Sequence, residues 1–305
     1  MTATSRQHGP QPPAPVSRSG YVALVGLPNV GKSTLLNRLV GRPLSIVAPR
    51  PQTTRHRVVG ILNGEGWQAV FVDTPGMLKP AYKLQEMMVR EVEGALGDAD
   101  VLLMLIDVER PGAYEPFLQR LPPAKTLVVL NKVDRLAKEA LLPLAARVSA
   151  LGYRRVFMTS ALRGSGVDDL KAAVAAALPP GEPYFPTDAV SERSERFFAA
   201  EIVREAVFNR YGEEIPYSTT VVVEEFRERE GRKDYIRAVV YVERESQKAI
   251  LVGKGGQALK RVGEGARRRI EQFLGRPVYL ELWVKVAENW RRDARFLRDN
   301  VYGRE

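Results

Sequence analysis

Five near-continuous hydrophobic runs dominate residues 21–178 of this 305-residue chain: "YVALVG", "WQAVFVD", "DVLLMLID", "KTLVVLN" and "RRVFMTS". Each is too short for a buried helix and too uninterrupted for a strand with one wet face, so each reads as a strand buried on both sides. Helical patterns fall between them, near 84–97, 135–151 and 166–178, and in a stripe of Leu35, Leu36, Leu39 and Val40 closed by Gly41. Such alternation specifies a mostly parallel sheet with helices on both faces, an α/β domain. "VVGILNG", 58–64, is expected to lie antiparallel at the sheet edge, turning around Asn63-Gly64 into the next strand.

Four prolines in residues 179–190, "PPGEPYFPTDAV", end this pattern. No helix or central strand survives them, so they mark a linker. The domains expected are therefore 20–178 and 191–305, behind a Pro-rich disordered tail at 1–19. The second has a different order: helix, two strands, short helix, long helix 257–274, strand 278–286 and a last helix 289–301, an α+β unit. On that last helix Trp290, Ala294, Leu297 and Val301 form one stripe, and Arg291, Arg295 and Arg298 another.

The composition excludes several functions. With no cysteine there is neither a disulfide framework nor a thiolate metal site, and two histidines, His8 and His56, make a histidine-based centre untenable. No run of eighteen apolar residues exists to span a membrane, and the N-terminus lacks the apolar core of a signal peptide. A cytoplasmic protein is expected, a monomer, with peripheral contact between its basic face and a membrane left open. The net charge of +10 is concentrated: residues 246–304 hold 14 Lys/Arg against 6 Asp/Glu. That is the footprint of a nucleic-acid or anionic-surface binder.

Residues 26–33, "GLPNVGKS", match the phosphate-binding pattern G-x-x-x-x-G-K-[ST] between a strand and a helix. Its backbone (Gly26, Asn29, Val30, Gly31, Thr34) is expected to curl around phosphates, Lys32 to reach them, and Ser33 to ligate Mg²⁺. "DTPG" follows at 73–76, placing Asp73 near the metal and the Gly76 N–H near a terminal phosphate. "NKVD", 131–134, and "SAL", 160–162, read the base. Asp134 accepts the paired donors of guanine, which adenine lacks; Lys132 lies along the ring, Asn131 tethers the loops, and Ser160-Ala161 supply an N–H to the guanine carbonyl. The ligand is thus GTP/GDP. In the polar segment "PRPQTTRHR", 49–57, read as a mobile loop, Thr54 is preferred over Thr53 as the second metal ligand.

A second glycine-lysine loop, "VGKGGQ" at 252–257, lacks that spacing but fits G-x-x-G, the clamp of a KH domain on a single-stranded backbone. Chance alone gives about two such matches in a chain this rich in glycine, and the other, "GALG" at 94–97, ends a helix. Only the second stands between a short and a long helix in the order α-β-β-α-α-β. Gly253, Gly255 and Gly256 let the backbone approach RNA, Lys254, Lys260 and Arg261 add charge, and Ile250 and Val252 are candidates for the base groove or for plain core. Arg291 and Arg295 are RNA contacts or a solvated face. Gly263 and Gly265 interrupt the long helix and are expected to be excused by close packing.

Together these motifs resemble an Era-type GTPase, over about residues 20–300. The resemblance implies a P-loop GTPase domain followed by a type II KH domain. It also implies GTP hydrolysis in small ribosomal subunit assembly, binding of ribosomal RNA near its 3′ end, and a potassium site at Asn29. Met77 stands where Ras-like enzymes carry the water-orienting glutamine, so slow intrinsic turnover is expected. Alternatives are a non-enzymatic adaptor that holds a nucleotide and binds RNA, or a GTPase of tRNA modification or membrane insertion.

Overall fold

The computed structural model describes residues 17–303 except Pro49 and Ala113; most of the expected tail lies outside that range. The first domain contains β1 (Arg18–Gly26), α1 (Lys32–Val40), β2 (Val58–Gly64), β3 (Trp67–Asp73), α2 (Lys83–Asp98) and β4 (Val101–Asp107). It continues with α3 (Glu115–Leu118), β5 (Thr126–Asn131), α4 (Lys138–Ala150), β6 (Val156–Thr159) and α5 (Val167–Ala177). Strand order is β2-β3-β1-β4-β5-β6, and all pairs are parallel except β2 with β3. Successive β1 residues feed opposite cores. Val22 and Leu24 pack with Leu35, Leu36 and Leu170 on one face, Ala23 and Val25 with Met104, Leu141 and Val148 on the other. This two-sided burial explains the unbroken hydrophobic runs.

Two expectations shift by a few residues. β1 begins at Arg18, so the last two residues of the expected tail belong to the sheet. The hairpin turn falls at Glu65-Gly66, where Gly66 has φ +73°, while Asn63 and Gly64 remain in register with Gln68 and Trp67.

The Pro-rich linker is a strap bonded to edge strand β2 and to the start of β3. Ile61 N donates to Val190 O (2.8 Å), and Gln68 Nε2 donates to Phe185 O (2.8 Å) while its Oε1 accepts from Phe185 N (3.0 Å). Proline removes donors that a strand would need, yet this segment covers an edge that would otherwise pair with other chains.

The second domain has α6 (Glu195–Arg210), α7 (Ile215–Ser218), β7 (Thr220–Arg227), β8 (Asp234–Val242), α8 (Glu245–Val252), α9 (Gln257–Leu274) and β9 (Val278–Val286). β8 is central, antiparallel to β7 and parallel to β9. Its Ile236, Ala238, Val240 and Val242 meet Val203 and Val207 of α6 and Val262, Ala266 and Ile270 of α9. Close packing does not require either helix glycine, because a contact of 3.4 Å is an ordinary van der Waals one. A Cβ on Gly263 would stand 3.4 Å from Leu282, whereas one on Gly265 would meet nothing within 4 Å. Each therefore costs α9 about 1 kcal/mol against alanine without a packing reason.

The last helix differs most from expectation. Helical geometry starts only after Asp293, whose side chain caps α10 (Ala294–Phe296), and continues as a π-helical turn over Leu297–Tyr302. Before it, Asn289 takes a left-handed φ of +53°, and the buried Trp290 indole donates to Ser218 O (2.9 Å). Trp290 and Leu297 then pack on Leu84 and Met88 of α2, joining the two domains. Among the described residues, no helix is long and apolar enough to cross a membrane.

Candidate functional site: a nucleotide cleft and an open glycine loop

A cleft of about 740 Å³ opens where β1, β3, β4, β5 and β6 end. Parallel strands bring their C-terminal loops to one side, so four motifs distant in sequence converge there. Pro28 explains why position 76 has no side chain: a Cβ on Gly76 would lie 2.8 Å from it. Asn29 takes a left-handed φ of +63° and is exposed, while Val30 is buried. α1 starts after Gly31 with no side-chain cap. Its first N–H groups, including those of Ser33 and Thr34, thus face the cleft as anion donors.

Lys32 is buried, its Nζ donating to Gly26 O (3.2 Å) and Leu27 O (3.0 Å). Burial lowers its pKa to about 8, against the opposing pull of Asp73. The three side chains expected to hold the metal lie together. Ser33 Oγ donates to Asp73 Oδ2 (2.7 Å), and Thr54 Oγ1 lies 2.9 Å from Ser33 Oγ and 3.3 Å from Asp73 Oδ2. Burial pushes the Asp73 carboxyl up, and among the described residues its Oδ1 is buried without a hydrogen-bond partner. Two hydroxyls beside a carboxylate with an unused oxygen fit a hard, oxygen-seeking cation such as Mg²⁺. Thr53 contributes differently: its carbonyl accepts from Arg204 of α6.

In the base-reading half, Asn131 is fully employed. Its Nδ2 donates to Val30 O (2.8 Å), while Oδ1 accepts from Ala161 N (3.0 Å) and Thr159 Oγ1 (3.1 Å). It tethers three loops, and it takes up the Ala161 N–H expected to serve the guanine carbonyl. Lys132, at φ +67°, pairs with Asp107 at the end of β4 (2.6 Å). Asp134 is held below the usual carboxylate range by a Ser160 hydrogen bond, helped by Arg163 and Arg135. Neither Asp107 nor Arg163 stood out in the sequence. The position of Asp107 at a strand end in "LLMLID" was the available clue. Met77 is half-buried and packs on the second core of the domain, its N–H donating to Gly26 O (3.0 Å).

Residues 50–57 do not form a free loop. Arg55 is buried and donates to Thr219 O (2.7 Å), Pro216 O (3.2 Å) and Tyr217 O (3.2 Å) of the second domain. Arg50 donates to Phe208 O and Tyr211 O at the end of α6. The polar character that suggests mobility instead supplies caps for the C-terminal carbonyls of α6 and α7.

In the G-x-x-G loop, Gly253, Gly255 and Gly256 all have left-handed φ (+69°, +58° and +76°). A Cβ on Gly255 or Gly256 would meet nothing within 4 Å, so the loop is open to an approaching chain. Lys254, Lys260 and Arg261 are exposed around it. Beside it runs a groove of about 280 Å³ lined by Leu259, Gly263, Leu280 and Leu282, with Lys260 and Arg267 at its sides. Ile250 and Val252 do not line this groove; Ile250 is exposed on α8 and Val252 half-buried at its end. The arginine stripe also divides. Arg291 binds Glu243 (2.6 Å) and lies over Tyr82, whereas Arg295 and Arg298 are exposed.

Comparison with known proteins agrees with this geometry. The family model described as a 50S ribosome-binding GTPase matches residues 21–132, and the KH-domain model matches 214–291. GTPase Era of Geotalea uraniireducens is 44% identical over 93% of this chain and 98% of its own. GTPase Era of Sinorhizobium medicae is 44% identical over 98% of both. Among solved structures, Era in complex with MgGDPNP and nucleotides 1506–1542 of 16S ribosomal RNA superposes with a TM-score of 0.89. It is 40% identical and is covered to 99%, with 94% of this chain. Era from Aquifex aeolicus bound to GDP and AlF4⁻ gives the same TM-score and identity over 93% of this chain and 99% of its own. With 44% identity to GTPases of the Era family over nearly its whole length, a cleft at its strand ends and a KH unit behind it, the chain belongs to the Era family of GTPases.

Proposed function

We propose that this GTPase is a nucleotide-controlled clamp on the 3′ region of small-subunit ribosomal RNA, acting in assembly of that subunit. One observation carries the reading: Thr54, a metal donor, is followed directly by Arg55, bonded to three carbonyls of the RNA-binding domain. A change at the terminal phosphate is felt by a segment that both domains hold. Family membership sets the non-enzymatic adaptor aside, and the relative solved with a 16S fragment supports the choice of RNA.

Ser33, Thr54 and Asp73 would hold Mg²⁺, which when bound neutralises charge on the β- and γ-phosphate oxygens. Lys32 and the α1 N-terminus bind the phosphates, and Asp134 selects guanine. With a half-buried thioether at Met77, no side chain at that position orients water. Asn29, exposed on its left-handed turn, is the residue suited to a potassium ion beside the phosphates. Phosphate release is therefore faster in potassium than in sodium, and Asn29→Ala removes the difference; equal wild-type rates in both salts discard the potassium site.

RNA binding tests the clamp. Gly255→Asp places a side chain and a negative charge where a phosphate approaches, on a backbone with φ +58°. Affinity for a 3′-terminal small-subunit RNA fragment is expected to fall at least tenfold while GTP affinity holds. Lys254→Ala flattens the salt dependence by about one phosphate contact. A folded Gly255→Asp protein with normal RNA affinity would reduce the loop to a helix-helix turn.

A further inference from the structure

Strand β9 serves two sides of its sheet. Its inward residues Leu280 and Leu282 line the groove beside the G-x-x-G loop. Its outward residues Tyr279 and Trp283 alternate with them and are 57% and 54% exposed on the opposite face. Among the described strands β9 pairs only with β8, so one edge strand separates the groove from that outer face. At one end of the face Phe296 packs edge-on against Tyr241, with centroids 5.2 Å apart. Tyr279 and Trp283 are the large apolar side chains left exposed on it.

These rings are held in place before anything binds. Tyr235 of β8 lies nearly parallel to Tyr279, at 11° with centroids 6.0 Å apart. Glu281, between Tyr279 and Trp283 on the same face, accepts from Tyr235 OH and from Trp283 Nε1 (2.6 Å). The neighbouring charges are paired, Lys285 with Glu224 (2.9 Å) and Arg237 with Glu225 (3.2 Å). A face of fixed flat rings with its charges balanced suits the stacking of planar groups rather than the attraction of phosphates. We propose that it extends the RNA site: a single strand clamped at the G-x-x-G loop rounds the edge of β9 and stacks bases on Tyr279 and Trp283. This rests on the loop clamping RNA. Four strand residues set the two rings about 13 Å apart, so each takes its own base. Every base has a flat face, so the platform adds affinity without reading sequence.

The test uses the full-length protein and pieces of the 3′-terminal small-subunit RNA fragment. A KH clamp holds about four nucleotides, so the shortest piece that binds is compared with the same piece extended at its 5′ or its 3′ end. Extension at one end should tighten binding to wild type and quench tryptophan fluorescence, because Trp283 is an exposed indole whereas Trp290 is buried. Trp283→Ala should lose about tenfold in affinity for the extended piece, the size of one stacked base, and nothing for the short one. Tyr279→Ala should act in the same direction, and Tyr279→Phe, which keeps the ring, should bind as wild type does. Trp283→Phe should remove the quench while retaining most of the affinity. No phosphate contact is lost in any of these variants, so each should keep the wild-type salt dependence. The platform is overturned by no gain on extension, by an equal loss for both lengths, or by alanine variants that bind extended RNA normally. That last result would leave the face to a protein partner. Normal binding of both lengths by Gly255→Asp would instead overturn the clamp beneath it.

Discussion

Lys32→Ala should lose GTP affinity by a factor on the order of 10² to 10³, the range for truncating one member of a buried, hydrogen-bonded charge pair. The lysine is already desolvated before the nucleotide arrives, with a pKa near 8 set by burial. Phosphate oxygens favour its charged form, so binding above pH 8 must take up a proton. Wild-type affinity should therefore be flat at neutral pH and fall with a slope approaching one decade per unit above pH 8. The alanine variant should lack that slope. Calorimetry across pH 6.5–9.5 decides the matter: a wild-type profile flat to pH 9.5 would show that Lys32 is not the proton acceptor. The variant should still fold, because Gly26 O keeps the Met77 N–H as a donor and Leu27, the other acceptor of Lys32, lines the cleft, where water can replace it.

Arg55→Ala should destabilise the junction between the domains by about 3–5 kcal/mol, the cost of breaking a buried charged network. Three carbonyls lose their donor, and the guanidinium also leaves the faces of Phe208 and Trp290, whose centroids are 6.0 and 5.6 Å from Cζ. Each domain has a core of its own, although Phe198 of α6 is buried in the first domain's core and Phe273 of α9 touches both. Loss of the bolt should therefore split thermal unfolding into two transitions. Arg55→Lys, a point charge unable to span three acceptors, should recover only part of the loss. A single, unshifted transition for Arg55→Ala would mean that the apolar contacts of Trp290 and Leu297 with α2 hold the domains without it.

The strands and the nucleotide motifs were legible in the sequence because both obey local rules: burial on two faces erases alternation, and a phosphate loop needs fixed spacing. What lay beyond reach was contact between distant segments. "PQTTRHR" has the composition of a solvated loop, yet Thr54 and Arg55 are 8% and 2% exposed, because the acceptors for Arg55 come 161 to 164 residues later. The groove residues Leu280 and Leu282 read as ordinary inward positions of a half-buried strand, and only the absence of a side chain at Gly263 reveals the space above Leu282. The final helix was misjudged for a visible reason. Asp293 is a sound N-cap, but the apolar spacing from Trp290 onward favoured an earlier start. Arg291 and Arg295, three and four residues from neighbours on an ideal helix, are thereby parted into a junction contact and an exposed face.

The bonding of Asn131 has a further consequence for how the chain folds. One side chain joins Val30, Thr159 and Ala161, which requires β1, β5 and β6 to be in place together. β1 itself sits between β3 and β4, so the central parallel pairings, each spanning a crossover, must close first. Such non-local pairings are slow to form. The base pocket is accordingly among the last features to appear, and partly folded chains cannot bind guanine. GTP or GDP then stabilises only the finished domain, by an amount that grows with the logarithm of its free concentration. Ample nucleotide should slow unfolding without speeding refolding, so that guanine nucleotide acts as a ratchet on a sheet already complete.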